Sequence, residues 1–338
     1  MSQQHGLPGS CASNDSAARL SNITATVLIP SYRRPEKLRK CLDSLLAGTR
    51  LPEQIVVVLR ESDEASHQAV RDWSAEEEAR ESLLEVAEVV RPGPMAAANS
   101  GLRLATGEIV CLVDDDCVVT EEWLERILAH YADPGVVGVG GRDIVHHGDQ
   151  IEADPQPVVG RLSWYGRIIG NHHQPGFDEP REVDHLKGAN MSFRRIVVPP
   201  YDLNLRSGVY HEIDVAFGAV KSGGRIIYDP LAAVHHYPAP RYYGHDRDSD
   251  SAEAVIDLAH DCAYVMFKHL PPLRRAGFWV FALTIGQHRR YGLLRMLLLL
   301  PRERALAVTR WRAAMRGLRE ARRTLRGRLI TKETAPND

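Results

Sequence analysis

Cysteine is scarce in this sequence. There are five (Cys11, Cys41, Cys111, Cys117, Cys262), with no CxxC spacing. That argues against a disulfide framework or a Cys-based zinc site and fits a reducing compartment. Long apolar runs are missing as well. Gly277–Gly286 (GFWVFALTIG) is the longest strongly apolar stretch, and Gln287, His288, Arg289 and Arg290 separate it from LLRMLLLL at 293–300. A bilayer span needs about 20 apolar residues, so neither reads as a transmembrane helix. Residues 1–20 are polar, without the apolar centre of a secretory leader. What remains is an ordinary globular composition, 44% apolar and 25% charged over 338 residues. It suits one large domain with an extension and excludes wholesale disorder.

The net charge of −2 hides a split. Residues 271–330 hold fifteen arginines and two acids, Glu303 and Glu320, a net of +13. Residues 331–338 carry −1, which leaves −14 on the first 270. A basic tail on an acidic body suggests a polyanionic partner, nucleic acid or an anionic membrane face.

Along the chain, residues 1–22 read as a disordered tail, and then a strand–helix rhythm begins. ATVLIP (25–30), QIVVVL (54–59), 83–90 and EIVCLV (108–113) are short apolar runs, read as buried strands. Leu38, Cys41, Leu42, Leu45 and Leu46 form one helical face after Pro35. Further helices are expected over 64–80 and 94–105. This predicts an α/β fold: a mostly parallel sheet with helices on both faces. Beyond it, a helix over 120–131 capped by Thr120, a strand over 136–145, a helix over 211–223 and two strands at 225–228 and 231–236 are expected. Residues 146–186 read as a long irregular segment covering a cleft, with Trp164 and Tyr165 to meet an acceptor. His146, His147, His172 and His173 there are weak metal signals. Everything after about 251 reads as helical.

Chemistry concentrates after EIVCLV, where Asp114, Asp115 and Asp116 follow without a break. Ligands of open α/β sheets bind outside the carboxyl ends of the strands. Three carboxylates there call for a cation, and a hard divalent ion shared with substrate phosphates fits. The competing reading is an acid-rich helix start.

Four blocks carry a family resemblance: VLIPSYRRPEKLRKCLDSL, MAAANSGLRLATGEIVCLVDDD, KGANMSFRR and HEIDVAFGAVKSGGRIIYDPLAAVHH. In this order they closely resemble the family 2 inverting glycosyltransferases of the GT-A fold. The resemblance implies transfer of a sugar from a nucleoside diphosphate donor to an acceptor hydroxyl, with Mg²⁺ or Mn²⁺. It implies a GT-A catalytic domain over 23–245, a basic helical extension over 246–330 and a tail over 331–338.

Residue by residue, Asp114 and Asp116 resemble the family's DxD pair. Asp116 is expected on the metal, Asp114 on metal or ribose, and Asp115 beside them at the donor. Pro30, Ser31, Tyr32 and Arg34 resemble the nucleotide-touching turn. Leu59 stands where the family's base-contacting Asp is usual, so the base contact shifts to Arg60 or Asp63, or is lost; Asp63 also reads as a helix cap. Asn99 and Gly101 match a stretch near the diphosphate, with close helix–sheet packing the other reading of Gly101. Gly188 and Asn190 match a donor-sugar block, with a buried structural Asn the alternative. Glu212 is the expected base, and Asp214 its competitor. His236, or failing that His235, is expected beside the metal.

The tail shows a stripe of Val308, Trp311, Met315, Leu318, Leu325 and Leu329 flanked by arginines, the pattern of an interfacial helix. Contact with a membrane through 271–330 is therefore expected, with packing on the acidic body as the alternative; no nucleic-acid module accompanies the arginines. The expected setting is the cytoplasm, peripheral on the inner membrane face, in cell-envelope glycan synthesis on a lipid-linked or polysaccharide acceptor. A homo-oligomer stays open. The rival functions are an inert sugar-nucleotide-binding protein and a nucleotidyltransferase.

Overall fold

The computed structural model describes residues 22–148, 150, 151, 154, 156–239 and 251–327. The expected N-terminal tail up to residue 21, residues 240–250, Cys11 and Leu329 lie outside them. The apolar runs become strands β1 (Ala25–Pro30), β2 (Gln54–Arg60), β3 (Leu84–Val89) and β4 (Ile109–Val113), all parallel in the order β4-β1-β2-β3. Helices α1 (Pro35–Leu46), α2 (Glu64–Ser74), α3 (Glu78–Leu83) and α4 (Pro94–Leu104) connect them. The helix expected over 64–80 is thus two. Strand alternation builds a core on each face. Val27, Ile29, Ile55 and Val57 pack with α1 and α2 residues, while Leu28, Val56 and Val58 pack with Met95–Ala98 of α4.

After β4 the sheet becomes mixed. The next elements are β5 (Cys117–Val119), α5 (Trp123–His130), β6 (Val136–His147), β7 (Gln150–Ile151), β8 (Arg161–Leu162), β9 (Ile168–Ile169), β10 (Arg181–Val183), β11 (Asn190–Arg194), α6 (His211–Val220) and β12 (Arg225–His236). β11 runs antiparallel between β4 and β6, and β12 lies parallel to β6. The two strands expected over 225–236 are one, with a register shift between Asp229 and Val234. Thr120 does not cap α5. Its hydroxyl donates to the Ala233 carbonyl at 3.0 Å, and the helix begins at Trp123.

Four helices follow: α7 (Ala252–His269), α8 (Pro272–Thr284), α9 (Leu293–Glu303) and α10 (Ala305–Leu325). α7 is largely buried, and α10 packs on it through Ala313, Ala314 and Gly317. Of the expected α10 stripe, only Leu318 is fully enclosed, and Leu325 is exposed. Small residues win the inner face because they let the two helix backbones approach closely. Among the described residues no helix is long and apolar enough to cross a membrane.

Candidate active site

The site forms where β1 and β4 end side by side. β4 is apolar and buried throughout, so its first polar residue, Asp114, emerges at the carboxyl edge. Asp114 opens to solvent at the bottom of a cleft. Enclosure by the surrounding protein, with Asp116 close by, pushes its carboxyl above the usual range. Asp115 is almost fully buried and accepts from Ser31 Oγ and Arg34 Nη1, both at 2.7 Å. Burial raises it to about 6 against the pull of Arg34 and Ser31. Asp115 and Ser31 therefore tie the β1 turn to the acidic cluster and hold the Arg34 guanidinium at the cleft.

Asp116 is the pivot. Its Oδ2 accepts from the Ala239 amide at 3.0 Å, and its buried Oδ1 has no hydrogen bond, with His236 Nε2 at 3.2 Å. Burial opposes its charge, but His236 and Arg34 prevail and hold the carboxyl below its ordinary value. On its other side, His236 Nδ1 donates to Asp143 Oδ1 at 2.9 Å. Asp143 is fully buried and also ion-paired with Lys187. Burial works against both His236 and Asp143. Their mutual contact, with Asp116 and Lys187, overrides it, raising His236 to about 10 and drawing Asp143 down to about 2. Neither Asp143 nor Lys187 was singled out as a site residue from sequence. Lys187 stands at the start of KGAN, but nothing local marks Asp143 within β6; only the β6–β12 pairing reveals it. His235, one residue along β12, turns away and meets His146 Nε2 at 2.9 Å. Adjacent strand residues point to opposite faces, so one imidazole of the pair reaches the cleft.

The cleft encloses about 550 Å³. Glu212 and Asp214, both expected at its wall, part company. Glu212 lines the cleft, with His211 Nδ1 3.2 Å from its Oε2. Asp214 is buried on another side of α6, 2.7 Å from His269 Nε2 and 2.9 Å from Lys268 Nζ at the end of α7. Residues two positions apart on a helix differ by about 200°, so one carboxylate faces the cleft and the other the core. α6 is entered through Tyr210 in the left-handed region (φ 71°), a rare conformation for a bulky residue and one found at functional sites. Gly188 lines the cleft beside it; a Cβ there would stand 3.2 Å from His211 Nε2.

Three expected donor contacts are not brought to the cleft. Asn190 is fully buried. Its Oδ1 accepts from Trp123 Nε1 at 2.9 Å, and its Nδ2 donates to the Ala232 carbonyl at 2.8 Å. Asn99 clamps the Tyr201 backbone, donating to its carbonyl at 2.9 Å and accepting from its amide at 2.8 Å. Asp63 caps α2 at the Ser66 amide and holds the amide of Arg33, another left-handed residue (φ 57°). In each case backbone and ring donors at the fold's turns claim the polar side chain. Leu59 is likewise buried among apolar side chains. Arg60 does line the cleft, its guanidinium 4.8 Å from the centre of the Tyr32 ring, which lines it too with Pro30.

Asp114, Asp116 and His236 could hold a divalent cation. Asp116 Oδ1 faces His236 Nε2 at 3.2 Å, and a cation there would take the place of the proton on that nitrogen; Asp116, Cys117 and His236 place possible ligand atoms within 4.8 Å of one another. Cys117 contributes little to such a set: burial pushes its thiol well up, which disfavours the thiolate a metal needs.

Comparison with known proteins agrees with this architecture. Residues 26–198 match the family model "Glycosyl transferase family 2". A glucosyl-dolichyl phosphate glucuronosyltransferase of Haloferax volcanii is 27% identical over 63% of this chain and 68% of its own length. The pre-mycofactocin glycosyltransferase of Mycobacterium tuberculosis is 27% identical over 43% of this chain, which spans only 30% of that protein. Among solved structures, GalNAc-T7 with UDP, GalNAc and Mn²⁺ superposes with a TM-score of 0.55 at 15% identity, over 72% of this chain and 50% of that one. The mannosyltransferase PcManGT of Pyrobaculum calidifontis, with GDP-Man and Mn²⁺, gives 0.50 at 19% identity, over 94% and 93%. The fold is GT-A. The chain belongs to glycosyl transferase family 2.

Proposed function

We propose that the chain is a divalent-metal-dependent, inverting glycosyltransferase. It moves a sugar from a nucleoside diphosphate sugar to an acceptor hydroxyl in cell-envelope glycan synthesis, on the cytoplasmic side of the membrane. The observation that carries this reading is the convergence of Asp114, Asp116, His236, Arg34 and Glu212 on one cleft. Tyr32 and Arg60 offer a ring face and a cation where a base and ribose would lie. Arg34 faces the diphosphate. Asp116, His236 and Asp114 would hold the metal, which supplies neutralisation of the departing diphosphate. An imidazole in the donor set suits Mn²⁺ better than Mg²⁺.

Glu212 takes the proton from the acceptor hydroxyl as its oxygen attacks the anomeric carbon. The carbon–oxygen bond to the diphosphate breaks, its electron pair leaves with the nucleoside diphosphate, and the configuration inverts. Glu carries the same chemistry as the Asp usual at this place. The Haloferax relative acts, by its name, on a dolichyl-phosphate-linked sugar, which supports a lipid-linked acceptor here.

The test is nucleoside diphosphate release from a panel of donors with Mn²⁺ or Mg²⁺, with and without lipid-linked sugars. Turnover of one donor that disappears on chelation and in Asp116→Ala is expected. Donor binding without release under any condition would overturn the reading in favour of an inert binding protein.

A further inference from the structure

We propose that the outward faces of α8 and α9 are a docking surface for an anionic lipid leaflet. On α9, Leu293, Leu294, Leu297, Leu298 and Leu300 are 38–78% exposed, and they sweep an arc of about 160° whose centre lies about 120° from the buried Met296. On α8, Leu273 (71%) and Val280 (64%) lie within about 20° of each other. The inner side of α8 is fully engaged: Phe278 is buried, and Trp279 stacks on Phe267 of α7 at 4.9 Å. These leucines are therefore a second, outward apolar face on helices already fixed to the body.

Charge identifies the occupant. Residues 271–327 hold fourteen arginines and two glutamates. Both glutamates are consumed internally: Glu303 pairs with Arg310 at 3.0 Å, and Glu320 pairs with Arg206 and with Arg316 at 2.8 Å. Exposed Arg302 and Arg304 follow the leucines at the end of α9, with Arg312 and Arg319 exposed on neighbouring α10. An apolar face edged by uncompensated cations matches acyl chains under anionic headgroups. A second copy of the chain would set the same basic rim against itself. α10, by contrast, commits its own inner face to α7, so the docking elements are α8 and α9.

α8 also packs against the segment that supplies part of the cleft wall. Tyr165 packs on Phe281 at 4.8 Å, and Trp164 covers Gly277. The same 146–186 segment sends His147 and His173 to line the cleft.

The experiment is co-sedimentation of the full chain with vesicles, read without turnover and so independent of the transfer chemistry. Phosphatidylglycerol-rich vesicles are compared with phosphatidylcholine alone, at low and high salt. Binding to the anionic vesicles that weakens with salt is expected, with a loss of more than about tenfold in Leu294→Glu/Leu298→Glu. Circular dichroism checks the variant's fold, and Leu298→Ser with Val280→Ser provides a milder pair. The proposal is overturned by absent binding to anionic vesicles, by binding that both variants retain, or by a wild-type dimer in lipid-free sedimentation that the variants dissociate.

Discussion

Replacing the two acids of α6 one at a time separates catalysis from stability. Glu212→Gln keeps the side chain's size at the cleft and removes its basicity. Loss of a general base costs on the order of 10²- to 10⁴-fold in kcat, and little stability should go with it. Asp214→Asn does the reverse. Asp214 is buried, with His269 at 2.7 Å and Lys268 at 2.9 Å. Breaking one partner of a buried ion pair typically costs about 3–5 kcal/mol. Lys268 keeps Asp202 at 2.8 Å, and Asn can still accept from His269, so a cost below that range, about 2–3 kcal/mol, applies. For a chain of 338 residues that lowers Tm by roughly 3–4 °C. Thermal unfolding and donor turnover, measured on both variants below the lower Tm, check the pair. An Asp214→Asn enzyme with unchanged Tm and no turnover, beside an active Glu212→Gln, would refute the assignment.

Three further outcomes follow from the geometry. Asp116→Ala should reduce metal-stimulated donor turnover to near background while leaving the fold intact by circular dichroism; a wild-type rate would remove Asp116 from the site. Gly101→Ala should destabilise by about 1–3 kcal/mol in urea unfolding, because a Cβ there would stand 2.5 Å from Leu28 Cδ1 and 2.9 Å from Val58 Cγ2; a neutral result would argue against close packing of α4 on the sheet. Asp202 gives a pH signature. Burial opposes its charge, but Lys268, the Asn204 amide and Tyr264 draw it down to about 2. A depressed carboxyl stabilises above its unfolded pKa, and that share is lost as pH falls from about 4 through about 2. Asp202→Asn should thus cost up to about 2 kcal/mol at pH 7, with the gap to wild type closing as urea unfolding is repeated toward pH 3.

In the parallel half of the fold, β1, β2 and β4 were legible in the sequence because they are buried on both faces and read as nearly unbroken apolar runs; β3, at the sheet edge, exposes Glu85 and Glu88. The helix face of Leu38, Cys41, Leu42 and Leu45 was legible by its period. The mixed half was harder. β12 reads as two strands because Asp229 and Pro230 interrupt its pattern, and only pairing with β6 shows that it continues. On α10, the large apolar residues read as an interfacial stripe, yet Leu318 is buried and close approach to α7 puts alanines and a glycine on the inner face. The apolar runs of α8 and α9 fall in the segment expected to meet a membrane, but which of their side chains face outward was decided only by the placement of the helices.

By itself, the sequence determined the order of strands and helices, the acidic cluster at the end of β4 and the basic extension, since each rests on local pattern or composition. Tertiary structure alone decided which polar residues are free to act. Asn99, Asn190 and Asp63 carry suitable chemistry, but contacts distant in sequence use it up in holding the fold. Glu212 and Asp214 differ by two positions, and α6 turns one to the cleft and the other to Lys268 and His269. Asp143 sits in a strand with no local signal, and β6–β12 pairing sets it behind His236. A side chain's chemistry belongs to its residue type, but its availability depends on which donors and acceptors the fold brings within about 3 Å.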